Sequence, residues 1–348
     1  MSKTLILHIG THKTGTSSIQ YSLLRNSNLL QKNSIRYVPL HRYRNILKDL
    51  AQEQIDLKKF QKFACDPLSA LLLSAERLSG NLATYNDNLF QELINLKKIS
   101  EHFDFKLKVM CYLRKQDSYL ESAYMQHLKW GYKDTFSKFL EAKENSQDWL
   151  MFYESLRSIF DENNLVVKPF EKKFLYQNDV VADFWKELGI DLKNEILCRS
   201  PEKNQGYGFS GIELTRRLNK YTTKPQKEAL RKHLETIIKH QDRLETLFNR
   251  EEHDRLINRY QQSNQKLSTL LRVSEQAFEL LPKTTYFHTH SYSSVFEKEF
   301  YWKLLSELYF APDIKVPIFD RIQKPYKYRH FLANKLILKL ELLRVLNK

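Results

Sequence analysis

The chain has little cysteine, and the cysteines that it has are scattered. Cys65, Cys111 and Cys198 stand far apart among 348 residues. An odd, widely spaced set favours neither a disulfide framework nor a CxxC metal knuckle. We therefore expect a protein that folds in a reducing compartment, and the cytoplasm fits best.

Long apolar runs are missing as well. The sequence nowhere offers the stretch of about 18 uncharged apolar residues that a membrane-spanning helix needs. The apolar run Leu5 to Ile9 is too short for a signal-peptide core and leads directly into a glycine turn without a small-residue cleavage site. These absences favour a soluble, unprocessed protein over a membrane-spanning or exported one.

Acidic residues are in deficit. The chain has 56 Lys and Arg against 41 Asp and Glu, a net charge of +15. This excess favours an anionic partner: a phosphorylated cofactor, nucleic acid, an acidic polymer or a membrane surface. Residues 321–348 alone carry eight Lys and Arg against one Glu. Charge by itself does not choose among these partners.

Short apolar segments recur along the first half of the chain, separated by stretches with helical periodicity. The segments are TLILHI (4–9), SALLLSA (69–75), KLKVMCYL (106–113) and NLVVKPF (164–170). Runs this apolar suit strands that are covered on both faces. We predict a P-loop-type, three-layer α/β/α fold with a central parallel sheet, in which 134–142 and 179–190 form helices.

The second half of the chain is predicted to be helical. From about residue 209 to 282 the pattern is charged and helical, and 311–325 holds three prolines and resembles a linker. We therefore predict one α/β domain over 1–270, helix-rich from about 209, and a C-terminal extension over 271–348 with a basic terminal helix.

A glycine turn follows the first predicted strand. The segment GTHKTGTS (10–17) matches the phosphate-binding pattern G-x-x-x-x-G-K-[ST], except that the lysine lies inside the loop, at Lys13. Glycines at 10 and 15 permit positive φ and close approach, and the backbone N–H groups that follow can bind an anion. Ser17 to Gln20 also fits a capping box, so an ordinary capped turn is the alternative.

The Lys-Thr-Gly-Thr-Ser run after a first strand resembles the 5′-phosphosulfate loop of sulfotransferases that use 3′-phosphoadenosine 5′-phosphosulfate (PAPS). The resemblance implies that PAPS is the co-substrate, that no metal is required, and that the loop lysine contacts the 5′-phosphate and the bridging oxygen. The residues implied in binding the 5′-phosphosulfate are Lys13, Thr14, Gly15, Thr16, Ser17 and Ser18.

A second segment resembles the 3′-phosphate motif of the same family. In VMCYLRKQDSYLESAYMQ a strand ends at Arg114, and Ser122 follows eight residues later. A guanidinium can bind a phosphate through two hydrogen bonds, which a serine hydroxyl can complete. Ser118 is a substitute for Ser122. If this segment stood alone, Arg114 in a salt bridge and Ser122 on a solvated helix face would be the favoured interpretation. The presence of both motifs, in the order that the family has them, favours phosphate binding instead.

The resemblance extends from residue 1 to about 270. Blocks at 152–175, 179–190, 199–208 and 259–267 are similar to successive blocks of bacterial members. Arg199 and Asn204 lie where family members often close over the nucleotide. Family members that sulfate carbohydrates often use a glutamate as general base.

Glu76 is the predicted general base. It comes directly after the second predicted strand, where catalytic groups gather in parallel sheets. The alternatives are that Glu76 caps the next helix or pairs with Arg77. We expect His8 to point into the fold and His12 to serve as a minor donor or a fallback base. Neither His8 with His12 nor His288 with His290 has a recognisable further ligand, so we predict no metal site.

Two features of the sequence concern the binding of an acceptor or of a membrane. Aromatic residues follow the second motif, and we expect Tyr124 in the core and Trp130 at an acceptor site. Tyr119, Lys129 and Tyr132 accompany them. The terminal helix alternates leucines with basic residues, which fits peripheral contact with an anionic membrane, although packing on its own domain or a dimer contact explains the leucines equally well.

These observations lead to three function classes. The first is a PAPS-dependent sulfotransferase acting on a hydroxyl of a carbohydrate or glycolipid, with Lys13 and Glu76 as catalytic residues. The second is a P-loop kinase or NTPase, which would bind ATP and Mg²⁺. The third is a basic nucleic-acid-binding protein, ranked last because the sequence has no recognition module that we can identify.

Overall fold

A computed structural model describes residues 3–39, 50, 55–61, 67–80, 88–192, 197–199, 209–219 and 246–286. Several sequence-based expectations lie outside these residues. They concern Asn204, the pair His288 and His290, the proline-rich segment 311–325 and the basic terminal helix.

The core of the fold is a five-stranded sheet in which all neighbouring strands are parallel. Its order is β2-β3-β1-β4-β5, so the first strand lies in the middle. The bounds are β1 Lys3–His8, β2 Ile35–Val38, β3 Ala70–Ser74, β4 Phe105–Leu113 and β5 Leu165–Pro169. The predicted α/β class with a central parallel sheet is confirmed.

Side chains from both faces of β1 are buried, which explains its apolar sequence. Leu5 and Leu7 point to one face and Ile6 to the other, and all three are at most 5% exposed. Leu5 is in register with Leu71 of β3 and Leu107 of β4. The edge strand β2 escaped prediction because it has only four residues and carries the exposed Arg36.

Helices alternate with the strands along the chain and continue after the last strand. Their bounds are α1 Thr16–Arg25, α2 Ser27–Lys32, α3 Asn88–His102, α4 Gln116–Lys129, α5 Phe136–Lys143, α6 Trp149–Ile159, α7 Val180–Glu187, α8 Phe209–Leu218 and α9 Arg250–Leu270. α5 and α7 correspond to the helices predicted at 134–142 and 179–190. In the described ranges, no helix combines the length and apolar character that crossing a membrane would take.

Aspartates begin two of these helices. Asp148 accepts hydrogen bonds from the backbone N–H groups of Leu150 and Met151 at 3.0 and 3.1 Å, and caps α6. Asp179 accepts from Ala182 at 2.7 Å and caps α7. These caps satisfy amides that otherwise have no partner in the helix.

The chain forms two compact units. The first comprises Met1–Ala123, Lys143–Lys203 and Asp254–Leu281, and it contains the whole sheet. The second comprises Tyr124–Ala142, Asn204–His253 and Pro282–Lys348. The predicted boundary at residue 270 stays a prediction, because most of the extension lies outside the described residues.

A buried acidic side chain joins α7 to the sheet. Asp183 is 1% exposed and accepts hydrogen bonds from Tyr112 Oη at 2.9 Å, Lys168 Nζ at 2.7 Å and the Tyr176 backbone N–H at 2.8 Å. Burial, and then the charge of Asp183, raise the pKa of Tyr112, so that its hydroxyl stays a donor. Lys168 also reaches the partly exposed Glu187 at 3.1 Å.

Asp183→Ala should therefore be costly. It leaves Lys168 and the Tyr112 hydroxyl without their buried acceptor, and we expect a loss of about 3 kcal/mol in the free energy of unfolding. Glu187→Ala removes a carboxylate that water also reaches, and should cost less than about 1 kcal/mol. Urea unfolding of both variants measures the difference, and equal losses would contradict this account of the network.

Candidate functional site

The carboxyl ends of three adjacent strands bring the predicted site residues to one edge of the sheet. The glycine loop follows β1, Glu76 follows β3 after one residue, and Arg114 follows β4 directly. Because β1 lies between β3 and β4, the carboxylate and the guanidinium come from opposite sides of the loop. All of these residues belong to the first unit.

The loop is held by its own threonines. Thr14 Oγ1 donates to the Thr11 carbonyl at 2.6 Å, and Thr11 Oγ1 donates to the Tyr112 carbonyl at 2.7 Å. Lys13 and Gly15 adopt positive φ, 66° and 78°. In the described part of the chain, six residues other than glycine have a positive φ, and Lys13 is one of them. A residue with a side chain keeps this conformation only where the surrounding structure holds it there.

The helix that follows this loop begins without a side-chain cap. Gly15 is its N-cap residue, and no side chain accepts from its first amides. The predicted capping box is wrong, because the helix begins earlier than Ser17 and Gln20 Nε2 donates instead to the Ser74 carbonyl at 3.1 Å. The first turn of α1 thus presents backbone N–H groups and an exposed Ser17, with Ser18 partly buried behind it.

The Thr16 hydroxyl is a buried polar group at the same helix end. Thr16 is 1% exposed, and its hydroxyl helps to lower the pKa of Glu76 through a side-chain hydrogen bond. Thr16 Oγ1 lies 3.0 Å, and His8 Nε2 2.7 Å, from the position that a Cβ on Gly10 would occupy, so glycine at this position leaves room for both groups.

Glu76 is paired with a histidine of the loop. His12 Nδ1 lies 3.0 Å from Glu76 Oε2, and His12 Nε2 lies 2.9 Å from the Gly80 carbonyl oxygen. Burial would raise the pKa of Glu76, but the hydrogen bond and charge of His12 outweigh it, with smaller contributions from Thr16 and His8. The pKa of Glu76 is therefore below its ordinary value, and the group is a carboxylate at neutral pH.

Glu76 neither caps the turn that follows it nor pairs with Arg77. Arg77 pairs instead with Glu92 of α3. His8 is fully buried, as expected, with Nδ1 2.8 Å from Ser74 Oγ. Burial lowers the pKa of His8 to about 4, so the ring is neutral beside the Glu76 carboxylate.

Arg114 reaches across to the loop. Its Nη1 donates to the Lys13 carbonyl at 3.2 Å, and its Nε donates to Ser118 Oγ at 3.0 Å. Its carbonyl accepts from Trp149 Nε1 at 2.7 Å, and its guanidinium lies 6.0 Å from the centre of the Phe170 ring. Burial lowers the pKa of Arg114 against the opposing charges of Glu121, Asp117 and Glu171.

Both serines proposed for the second motif lie on α4, one turn apart. Ser118 Oγ accepts from Arg114 and donates to the Lys115 carbonyl at 3.1 Å. Ser122 is 6% exposed and lies four residues on, on the same face of the helix. The structure thus brings Ser118 into direct contact with Arg114.

Other predicted residues have structural partners. Arg199 forms a salt bridge with Asp179 at 2.7 Å. Tyr119 is buried against Trp149, with ring centres 5.3 Å apart. In the second unit Tyr124 is buried, as expected, and donates to the Asp134 carbonyl at 3.0 Å, whereas Trp130 is 64% exposed.

Three contacts were not predicted from the sequence. His12 as the partner of Glu76, and Trp149 and Phe170 as neighbours of Arg114, all come from segments far apart in the chain. Phe170 follows β5, next to β4, and its position at a strand end was the one available signal. Over the described ranges, no three His, Cys, Asp or Glu side chains cluster as metal ligands.

A protein of known sequence and a solved structure are similar to parts of this chain. No protein-family model matches the chain. An uncharacterized protein of Archaeoglobus fulgidus is 29% identical over 163 residues, 46% of this chain and 44% of its own length, so the match spans under half of that relative. The crystal structure of a sulfotransferase from Alicyclobacillus acidocaldarius is similar with a TM-score of 0.45 and 12% identity, over 79% of this chain and 98% of that one.

Gly15 cannot accept a side chain for two separable reasons. Its φ of 78° is strained for alanine, and a Cβ there would lie 2.7 Å from Val180 Cγ1 of α7. Gly189 has the same backbone conformation, φ 79°, with nothing within 4 Å of its Cβ position. The two glycines therefore form a matched pair.

We expect Gly189→Ala to cost about 1 kcal/mol of stability, through backbone strain alone. Gly15→Ala should cost at least about 1 kcal/mol more, since the contact with Val180 adds to the same strain. Chemical denaturation compares them, and Val180→Ala should recover part of the Gly15→Ala loss. Equal losses at the two glycines would show that the loop does not press on α7.

Proposed function

We propose that this protein is a sulfotransferase that moves a sulfuryl group from PAPS to a hydroxyl of a carbohydrate or glycolipid. In this reaction the acceptor oxygen forms a bond to sulfur, and the bond from sulfur to the 5′-phosphate oxygen breaks. The electron pair stays on that phosphate oxygen, and the hydroxyl proton goes to a base. The products are a sulfate ester and 3′,5′-ADP.

The observation that carries the proposal is the state of Arg114. Its guanidinium is partly buried, yet no carboxylate in the described part of the chain lies within salt-bridge distance, and its hydrogen bonds go to Ser118 Oγ and the Lys13 carbonyl. The carboxylates of Glu121, Asp117 and Glu171 act on it only from a greater distance, and a desolvated cation without an anion in direct contact is unfavourable. A bound phosphate would relieve that cost and use the donors that remain.

The loop offers a second anion site beside the first. The first amides of α1 lack a side-chain cap, and Lys13 belongs to the same loop. Arg114 touches this loop through the Lys13 carbonyl. Two neighbouring anion sites suit a nucleotide with phosphates at both the 5′ and the 3′ positions. The family resemblance assigns the loop to the 5′-phosphosulfate and Arg114 with Ser118 or Ser122 to the 3′-phosphate.

Lys13 supplies the chemistry that the leaving group needs. Group transfer of this kind depends on position and on neutralising the charge that develops on the departing oxygen. A sulfuryl group carries less negative charge than a γ-phosphate, so a lysine can serve where a kinase uses Mg²⁺. The carbohydrate or glycolipid class of the acceptor rests on the family resemblance.

Glu76 suits the role of general base. It is ionised at neutral pH, because His12 lowers its pKa, and it lies at the strand end on the side of the loop opposite Arg114. A carboxylate there can take the acceptor's proton as the bond to sulfur forms.

Nucleotide binding tests the donor site. In a thermal-shift titration without metal, 3′,5′-ADP should stabilise the protein, by about 2.7 kcal/mol at roughly a hundredfold excess over Kd, and ADP far less. Arg114→Ala should weaken 3′,5′-ADP binding by about 2 kcal/mol and remove the preference over ADP, because the 3′-phosphate loses its cation.

The matched control is Arg157→Ala, which removes a surface arginine paired with Glu162 and should leave both nucleotides unaffected. Lys13→Ala should abolish transfer of labelled sulfur from PAPS to a panel of glycans, whereas Lys138→Ala, which removes an exposed lysine of α5, should not. Equal stabilisation by ADP and 3′,5′-ADP, or a requirement for Mg²⁺, would overturn the proposal in favour of a kinase or NTPase.

Glu76→Gln tests the base. The amide keeps the shape but cannot take a proton, so we expect kcat to fall by about 10²- to 10⁴-fold with 3′,5′-ADP binding unchanged. Because the pKa of Glu76 is lowered, the carboxylate persists as pH falls through the range where an ordinary glutamate protonates. The transfer activity should accordingly persist to a more acidic pH than it would if Glu76 had the pKa of an ordinary glutamate. An unchanged kcat in Glu76→Gln would remove this assignment.

A further inference from the structure

His12 is surrounded by acceptors at both ring nitrogens. Nε2 faces the Gly80 carbonyl at 2.9 Å, and a carbonyl oxygen can only accept, so Nε2 carries a hydrogen. Nδ1 faces Glu76 Oε2 at 3.0 Å. Either Nδ1 also carries a hydrogen and donates to a carboxylate, or it accepts from a protonated Glu76.

The surrounding charges decide between these two states. The pKa of Glu76 is lowered, which makes it a carboxylate that only accepts. The other ionisable groups near the pair are His8 on β1, which is neutral, Lys13 on the loop, and Arg77, which is paired with Glu92. Both ring nitrogens of His12 thus face acceptors, one a carboxylate and one a carbonyl oxygen.

We propose that His12 is a positioning residue: a charged clamp that holds Glu76 as an oriented carboxylate at the end of β3. The inference rests on the proposed function and adds to it the group that makes Glu76 a base. His12 does not itself take the acceptor's proton, since both of its nitrogens already carry hydrogens. The proton passes from the acceptor hydroxyl to Glu76 and then to water, while the hydrogens of His12 stay in place.

The clamp also ties two loops together. His12 belongs to the loop after β1. Glu76 is the first residue of the 3₁₀ turn Glu76–Ser79 after β3, and Gly80 directly follows that turn. Ser79 Oγ lies 3.1 Å from the Gly10 carbonyl and 2.8 Å from the Glu76 carbonyl, as a hydroxyl that can donate to either. The carboxylate and the anion-binding loop are thus fixed to each other by side chains of both segments.

The charge of His12 can be read directly by NMR. With ¹⁵N-labelled histidine, the ring of His12, assigned by its loss in His12→Ala, should show both nitrogens protonated at neutral pH in the intact chain. If Nδ1 of His12 carries no proton at neutral pH, the inference is overturned, whatever activity the protein shows.

Two conservative variants separate the two hydrogen bonds. His12→Asn places an amide N–H where Nδ1 stood and can still donate to Glu76, whereas His12→Gln places it where Nε2 stood and can reach Gly80. We expect His12→Ala and His12→Gln to lower kcat by about 10²-fold, as misplacement of a reacting group does, with KM for PAPS little changed. His12→Asn should recover most of the rate.

The acid limb of kcat is the second readout. Without His12, Glu76 loses the largest influence that lowers its pKa, while burial still raises it, so in His12→Ala the rate should be lost at a higher pH than in the unchanged protein. His102→Ala, which removes an exposed histidine at the end of α3, is the matched control and should change neither rate nor profile.

The outcomes distinguish the inference from the function that it deepens. Equal rates for the Asn and Gln variants, or an unmoved acid limb in His12→Ala, overturn the clamp while PAPS-dependent transfer stands. If the unchanged protein transfers no sulfuryl group and does not bind 3′,5′-ADP, the proposed function fails. The NMR result then still decides whether His12 holds Glu76 as a charged pair.

Discussion

The parallel pairing of β1 with β3 on one side and β4 on the other is the constraint on which the site depends. Parallel neighbours are about 4.8 Å apart and end at the same edge, so groups that follow the three strands lie within about 10 Å of one another. A carboxylate, a glycine loop and an arginine that are distant in the chain therefore become a row. Consecutive residues of each of these strands are buried, so a shift in register would move side chains into spaces shaped for others, and the close-packed core opposes it.

Charge within this row is distributed unevenly, and the packing of the fold maintains the difference. On the β3 side, the Glu76 carboxylate is hydrogen-bonded to His12. On the β4 side, Arg114 makes its hydrogen bonds to a hydroxyl and a carbonyl, while the carboxylates of Glu121, Asp117 and Glu171 act on it from a greater distance. The negative and the positive group of the row therefore lie on opposite sides of the loop. An anionic ligand would consequently settle toward Arg114 and the loop and leave the carboxylate beside it.

Much of this arrangement follows from the sequence, and the rest does not for physical reasons. The four apolar runs, the glycine loop and the arginine at a strand end were predicted, because local periodicity and spacing encode them. The partners of these groups were not, since His12 and Glu76 are 64 residues apart and only the sheet order brings them together. The capping box was wrong because Gly15, in a left-handed conformation, starts the helix ahead of Ser17. Strand β2 gave too short a pattern to be recognised.

The close approach of Gly15 to Val180 and Phe170 has a mechanical consequence. The loop rests on the first residue of α7, and α7 is anchored to β4 and β5 through Asp183. A change in the position of α7 would therefore be passed directly to the backbone of the loop, because no side chain separates Gly15 from Val180.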